Sequence, residues 1–136
     1  LFFNEPAPTS TNTLSQHDAL PIYAVRGNCE AEVDQMVLDF PVMADYCILA
    51  IEGKTMYATH GHIYNKDNLP PMMDGDILIH GHTHVLKAEN MGNYILLNPG
   101  SVSIPKEGNP PTYAILENGI FTIKDFEGNT VREITL

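Results

Sequence analysis

Cysteine is scarce in this sequence: only Cys29 and Cys47 occur among 136 residues. Two thiols cannot build a disulfide framework of the kind that staples small secreted domains, nor a four-thiol structural zinc site. Positive charge is scarce as well, with 7 basic against 17 acidic side chains and a formal net charge of −10. Such a surface argues against a nucleic-acid backbone or an anionic membrane as the main partner. No apolar run approaches the roughly 20 residues that a membrane helix needs. The opening Leu1-Phe2-Phe3-Asn4-Glu5 lacks the basic flank and long apolar core of a secretory signal, so the expected location is cytoplasmic. No serine sits in a Gly-x-Ser-x-Gly elbow. A homo-oligomer is compatible with all of this.

What is present divides at residue 22. Residues 1–22 hold Pro6, Pro8 and Pro21 and a run of threonine, serine and asparagine, without helical or strand periodicity. This stretch resembles a translated sequencing adapter. It is expected to be a non-native or disordered leader, with His17 and Asp18 carrying no function. Residues 23–136 read as one coherent part of a single domain. Tyr23–Arg26 is a short strand. Val33, Met36, Val37 and Phe40 share one face of a short helix that Pro41 ends. Tyr46–Ile51 and Thr55–Thr59 form a hairpin around Glu52-Gly53-Lys54, and Asn65–Gly75 reads as a loop or short helix. Asp76–Ile79 is a buried strand, and Lys87–Met91 and Tyr94–Asn98 pair around Gly92-Asn93. Thr112–Glu117, Ile120–Phe126 and Thr130–Leu136 close the chain as a meander, with Asn-Gly and Gly-Asn turns that tolerate positive φ.

Five of the six histidines lie between residues 60 and 84, at the ends of two strands rather than along them. Ligands of layered α/β folds gather in such loops. A lone histidine on an apolar strand is usually a packed core residue, and His80 is read that way, as packing or support. Gly81-His82-Thr83-His84 after a buried strand reads as metal-binding. With alternate residues of an extended segment pointing the same way, His82 and His84 would face one site. On a chain this acidic, metal ions could supply the positive charge that a phosphate-processing site requires.

Gly27-Asn28-Cys29-Glu30, Thr59-His60-Gly61-His62 and Gly81-His82-Thr83-His84, in that order, resemble the last three metal motifs of the calcineurin-like metallophosphoesterases. Asn98-Pro99-Gly100-Ser101 and the proline-rich segment after it resemble the small bacterial phosphodiesterases within that superfamily. The resemblance implies an α/β fold: the C-terminal, strand-rich part of a four-layer α/β/β/α sandwich. It implies phosphodiester hydrolysis by a metal-activated hydroxide bridging two divalent ions, with a small phosphate ester as substrate. Mn²⁺ comes first, with Fe²⁺, Zn²⁺ or Ni²⁺ as alternatives. Asn28, His60 and His82 then match ligands of one ion and His84 a ligand of the other. Cys29 stands where many relatives carry a histidine that assists the leaving group, and a thiol is a different acid from an imidazole.

The sequence departs from the pattern at its start. The superfamily opens with a strand ending in Asp-x-His and a second ending in Gly-Asp, and neither occurs here; Gly75-Asp76 begins a strand instead of ending one. The expectation is an N-terminally truncated, catalytically impaired chain. The competing reading is a non-catalytic protein-interaction scaffold of the same fold.

Overall fold

The computed structural model describes residues 2–4 and 22–136. Every helix or strand described after residue 45 is a strand, and the residues of the central strands alternate between two apolar environments. β3 (Tyr46–Ile51) and β4 (Lys54–Thr59) form an antiparallel hairpin. β5 (Ile77–His80) lies parallel to β4, and β7 (Ile95–Asn98) lies parallel to β5. β6 (Lys87–Asn90) pairs antiparallel with β7, so the five-stranded order is β3-β4-β5-β7-β6. The central strands β5 and β7 are buried at every residue. That is the signature of a sheet covered on both faces.

The alternation sorts those residues. Met56, Ala58, Ile77, Ile79, Ile95 and Leu97 point to one face and join Phe121 and Ile123 of the C-terminal meander in one core. Tyr57, Leu78 and Leu96 point to the other face, with Tyr94, Tyr46 and Met72. The meander, β8 (Thr112–Glu117), β9 (Ile120–Asp125) and β10 (Thr130–Thr135), is a three-stranded antiparallel sheet laid over the first face. Two β layers thus enclose the main core in a mixed α/β, strand-rich fold. The expected strands all form, with ends shifted by a residue or two, and Asn65–Gly75 is loop.

The short helix differs from its expectation. α1 (Glu32–Val37) forms, opened by the Asp34 carboxylate accepting the Ala31 N–H at 2.7 Å, but Leu38 is already extended. Its apolar face is not buried: Val33, Met36 and Val37 are 61%, 83% and 77% exposed. Six residues make under two turns, and no described element packs on that face, so periodicity alone could not bury it. Gln35 ties the helix to the following chain, accepting the Val42 N–H and donating to the Phe40 carbonyl. At the other end, β1 (Phe2–Asn4) pairs antiparallel with β2 (Ile22–Ala24). The rest of the leader, including His17 and Asp18, lies outside the described residues.

The turn from β9 to β10 is organised by one carboxylate. Asp125 accepts the backbone N–H groups of Glu127 and Asn129 and the Asn129 side-chain amide, at 2.8–3.0 Å. The Asn129 amide leads in holding its pKa below the ordinary 3.8. A depressed carboxylate pKa contributes stability above the ordinary value and loses it as pH falls through the lowered one. Asp125→Ala should therefore lower the urea midpoint at pH 7. The gap from wild type should close as the pH drops below 3.8. A gap that persists unchanged in acid would mean that the charge is not what holds the turn.

Candidate metal centre

Two loops carry the histidines, and the sheet brings them together. β4 and β5 are parallel neighbours with Thr59 opposite His80, so the segments after them leave the same edge of the sheet side by side. The Gly81 N–H bonds the His60 carbonyl at 2.9 Å and stitches the two loops. Gly61 makes the approach feasible: its φ is +112°, and a Cβ there would lie 3.0 Å from His80 Nδ1 and 3.1 Å from His82 Cβ. The third arm, Gly27-Asn28-Cys29-Glu30, comes from the chain after β2. His60 Nε2 lies 2.9 Å from Asn28 Oδ1 and 3.2 Å from His82 Nδ1.

Those separations have the size that a shared ion demands. Two ligands each about 2.1 Å from a cation, at the angles of octahedral or tetrahedral coordination, stand roughly 3.0–3.4 Å apart. As hydrogen bonds the trio is incomplete, since one proton on His60 Nε2 cannot serve the Asn28 oxygen and the His82 nitrogen equally well. Among the described residues no three His, Cys, Asp or Glu side chains are gathered tightly enough to hold an ion by themselves. The amide of Asn28 completes the set. Two imidazoles and an amide oxygen, without thiolate, suit an open site for Mn²⁺, Fe²⁺ or Zn²⁺ rather than a closed structural zinc.

Electrostatics agrees with that donor set. Burial, then the neighbouring His82 and His62 rings, pushes the His60 pKa down to about 4, so the ring is neutral near pH 7 and its lone pair is available. Glu30 opposes the shift weakly, and its buried Oε2 has no hydrogen-bond partner among the described residues. An orphaned carboxylate oxygen beside the cluster is consistent with a cation there.

His84 sits differently from the expectation of an extended segment. His82 and His84 both occupy the left-handed region, with φ of 60° and 61°, so the loop bends at each instead of alternating. Such a conformation costs a β-carbon residue about 1–2 kcal/mol. His84 Nδ1 lies 2.9 Å from the Ile104 carbonyl, which can only accept; Nδ1 therefore carries the proton and Nε2 the lone pair. His62 belongs to the second motif but is not among its expected ligands. Its ring stands 5.2 Å from His60 and 6.2 Å from His82, and its buried Nδ1 has no hydrogen-bond partner among the described residues. His80 is buried, 3.0 Å from the Gly81 carbonyl, with its pKa lowered chiefly by burial, as suits a packed supporting residue. Cys29 is exposed, and its Sγ accepts the Asn28 amide at 3.4 Å.

A cavity of about 380 Å³ opens beside the cluster, its charged and imidazole lining being His62, His80 and His82, Lys66 and Lys87, and the carboxylates of Asp67 and Glu107. A larger hollow of about 570 Å³ lies between Val102, Pro110, Pro111 and Phe126, and its charged side chains are the carboxylates of Asp125 and Glu127. Of the two, the smaller adjoins the histidine cluster.

A mixed α/β, strand-rich fold that gathers histidines and an amide at the carboxyl ends of parallel strands is that of the metallophosphoesterases. The calcineurin-like phosphoesterase superfamily profile matches residues 4–119, and the chain belongs to that family. The chain is 43% identical to phosphodiesterase YfcE of Escherichia coli over 117 residues, covering 86% of this chain and 64% of that protein. It is 28% identical to the probable metallophosphoesterase YsnB of Bacillus subtilis over 132 residues, covering 88% and 73%. The solved structure of the E. coli phosphoesterase superposes with a TM-score of 0.80 at 41% identity, over 83% of this chain and 63% of that one. This chain thus spans less than two thirds of the length of its E. coli relative. Among the described residues no helix is long and apolar enough to cross a membrane.

Proposed function

We propose that residues 23–136 form the nitrogen-and-amide half of the active centre of a metal-dependent phosphodiesterase. The observation that carries this is the convergence of Asn28 Oδ1, His60 Nε2 and His82 Nδ1 within 3.2 Å steps. These three would hold one divalent ion, Mn²⁺ for preference, and His84 Nε2 would serve a second. The carboxylate half would be the Asp-x-His and Gly-Asp motifs that this sequence does not contain. When bound, such ions neutralise the phosphoryl oxygens and activate water for in-line attack.

The chain's own side chains then have distinct tasks. His60, kept neutral, offers a lone pair and not a competing proton. The Ile104 carbonyl fixes the His84 tautomer. Lys66 and Lys87 line the cavity but pair with Asp67 at 2.6 Å and Glu89 at 3.4 Å, and Asp67 and Glu107 line it as well, so on a chain of net charge −10 the positive charge that attracts an anionic ester would come from the bound ions. Cys29, exposed beside Asn28, donates a proton to the departing alkoxide. The substrate is a small phosphate ester, with neither a nucleic-acid backbone nor a membrane as partner, and the setting is cytoplasmic.

The test is hydrolysis of an activated aryl phosphodiester with added Mn²⁺. The 136-residue chain should turn over slowly. Fusing a native N-terminal segment that carries Asp-x-His and Gly-Asp ahead of Tyr23 should raise the rate by orders of magnitude, and a chelator should remove the gain. Full, chelator-resistant activity in the unfused chain would place the chemistry elsewhere. Failure of the chain to bind Mn²⁺ would favour the scaffold reading.

A further inference from the structure

Behind the histidine loop lies a polar side chain with no exposure at all. Asn98, the last residue of β7, is 0% exposed. Its Nδ2 donates to the Gly81 carbonyl and to Thr83 Oγ1, each at 3.0 Å, and its Oδ1 accepts the Gly100 N–H at 2.9 Å. β7 is the parallel neighbour of β5, so Asn98 reaches sideways under the loop that β5 feeds. Thr83, its partner, is the residue between the two left-handed histidines. Thr83 Oγ1 also lies 3.4 Å from the Val85 N–H, closing the far side of the bend.

The residues after Asn98 are fixed in turn. Thr112, 2% exposed, donates its hydroxyl to the Pro99 carbonyl at 2.8 Å, and its N–H bonds the Ser101 carbonyl at 3.0 Å. Gly100, at φ +86°, lies so close to Thr112 Oγ1 that a Cβ would collide with it. Asn98 is therefore a rigid anchor, held by the second sheet through Thr112. Two consecutive bends in a conformation that side chains disfavour persist only where the surroundings over-determine them.

We infer that Asn98, acting through Thr83, is the positioning residue that holds the His82-Thr83-His84 bend in its ligand geometry. This rests on the metal reading of His60 and His82. Burying an amide costs free energy unless each polar atom is matched, and all the polar atoms of Asn98 are matched by this loop and its own turn. Residues that orient metal ligands typically change metal affinity by roughly 10–100-fold when removed.

The experiment uses the 136-residue chain with Thr83→Val, Thr83→Ser, Asn98→Ala, Thr83→Val/Asn98→Ala and His60→Ala. Mn²⁺ affinity is measured by titration calorimetry, and amide hydrogen exchange is followed in the metal-free proteins. Thr83 is exposed, so Thr83→Val folds even where Asn98→Ala does not. Thr83→Val and Asn98→Ala should each weaken Mn²⁺ binding by roughly 10–100-fold, and the double variant should be no weaker than the worse single one. Thr83→Ser, which keeps the oxygen, should bind as wild type does. Exchange at the Thr83 and Val85 amides should quicken in Thr83→Val, with that of β5 and β7 unchanged. Wild-type affinity and undisturbed exchange in Thr83→Val would overturn the assignment, and so would fully additive losses. If His60→Ala binds Mn²⁺ as wild type does, the metal reading itself fails, and the exchange comparison still decides whether Asn98 positions the loop.

Discussion

His60→Ala should abolish specific Mn²⁺ binding, with a loss of at least about 100-fold, beyond what removal of a mere supporting residue produces. His60 is the common vertex of the cluster: its Nε2 is the one atom within 3.2 Å of both the Asn28 oxygen and the His82 nitrogen. Removing it leaves two donors that have no direct contact with each other in the described network. His82→Ala should come close to the same loss, because it removes the other imidazole. His62→Ala and His80→Ala should do less: His62 faces the trio by its ring, and His80 is a buried supporting residue. Calorimetric titration, with circular dichroism to confirm the fold, makes the comparison. In the fused, active protein the same order should appear in turnover. If His62→Ala were the damaging change and His60→Ala harmless, the ion would sit elsewhere.

Ile123→Ala should lower the unfolding free energy by about 2–5 kcal/mol, the usual cost of truncating a fully buried aliphatic side chain. Ile123 is 0% exposed in β9 and belongs to the core shared with Ile77, Ile79 and Leu97 of the larger sheet. The truncation opens a void between the two β layers and not within one of them. Small domains are stable by roughly 5–15 kcal/mol, so the loss is a large fraction of the total. Met36→Ala is the control: the side chain is 83% exposed, and the expected change is within about 0.5 kcal/mol. Urea denaturation of both variants reads the difference. Equal midpoints would mean that the meander does not pack on the sheet as described.

Much of the strand architecture was legible because strand signals are local. Apolar runs bounded by Glu52-Gly53, Gly92-Asn93, Asn118-Gly119 and Gly128-Asn129 mark hairpins whatever the rest of the chain does, and all four of those glycines adopt positive φ. The helix shows the limit of the same reasoning. A 3.6-residue period predicts which residues share a face, but burial needs a partner, and none of the described elements covers Val33, Met36 or Val37.

The chemistry on offer is legible in the residues alone: an acidic chain with one asparagine motif and two histidine motifs at strand ends, a cysteine beside the asparagine, and no serine nucleophile elbow to compete with them. Only the tertiary structure decided which of those groups meet. The parallel register of β4 and β5 sets His60 beside His82, across 22 residues of sequence, and Asn28, 32 residues before His60, meets them from the chain after β2. It also decided that His82 and His84 bend through the left-handed region, against the extended form that their spacing suggests, because Asn98 and the Ile104 carbonyl hold the loop from outside it. Spacing in the chain records only local direction; hydrogen bonds between distant segments fix the final geometry, and these exist only once the sheet has formed.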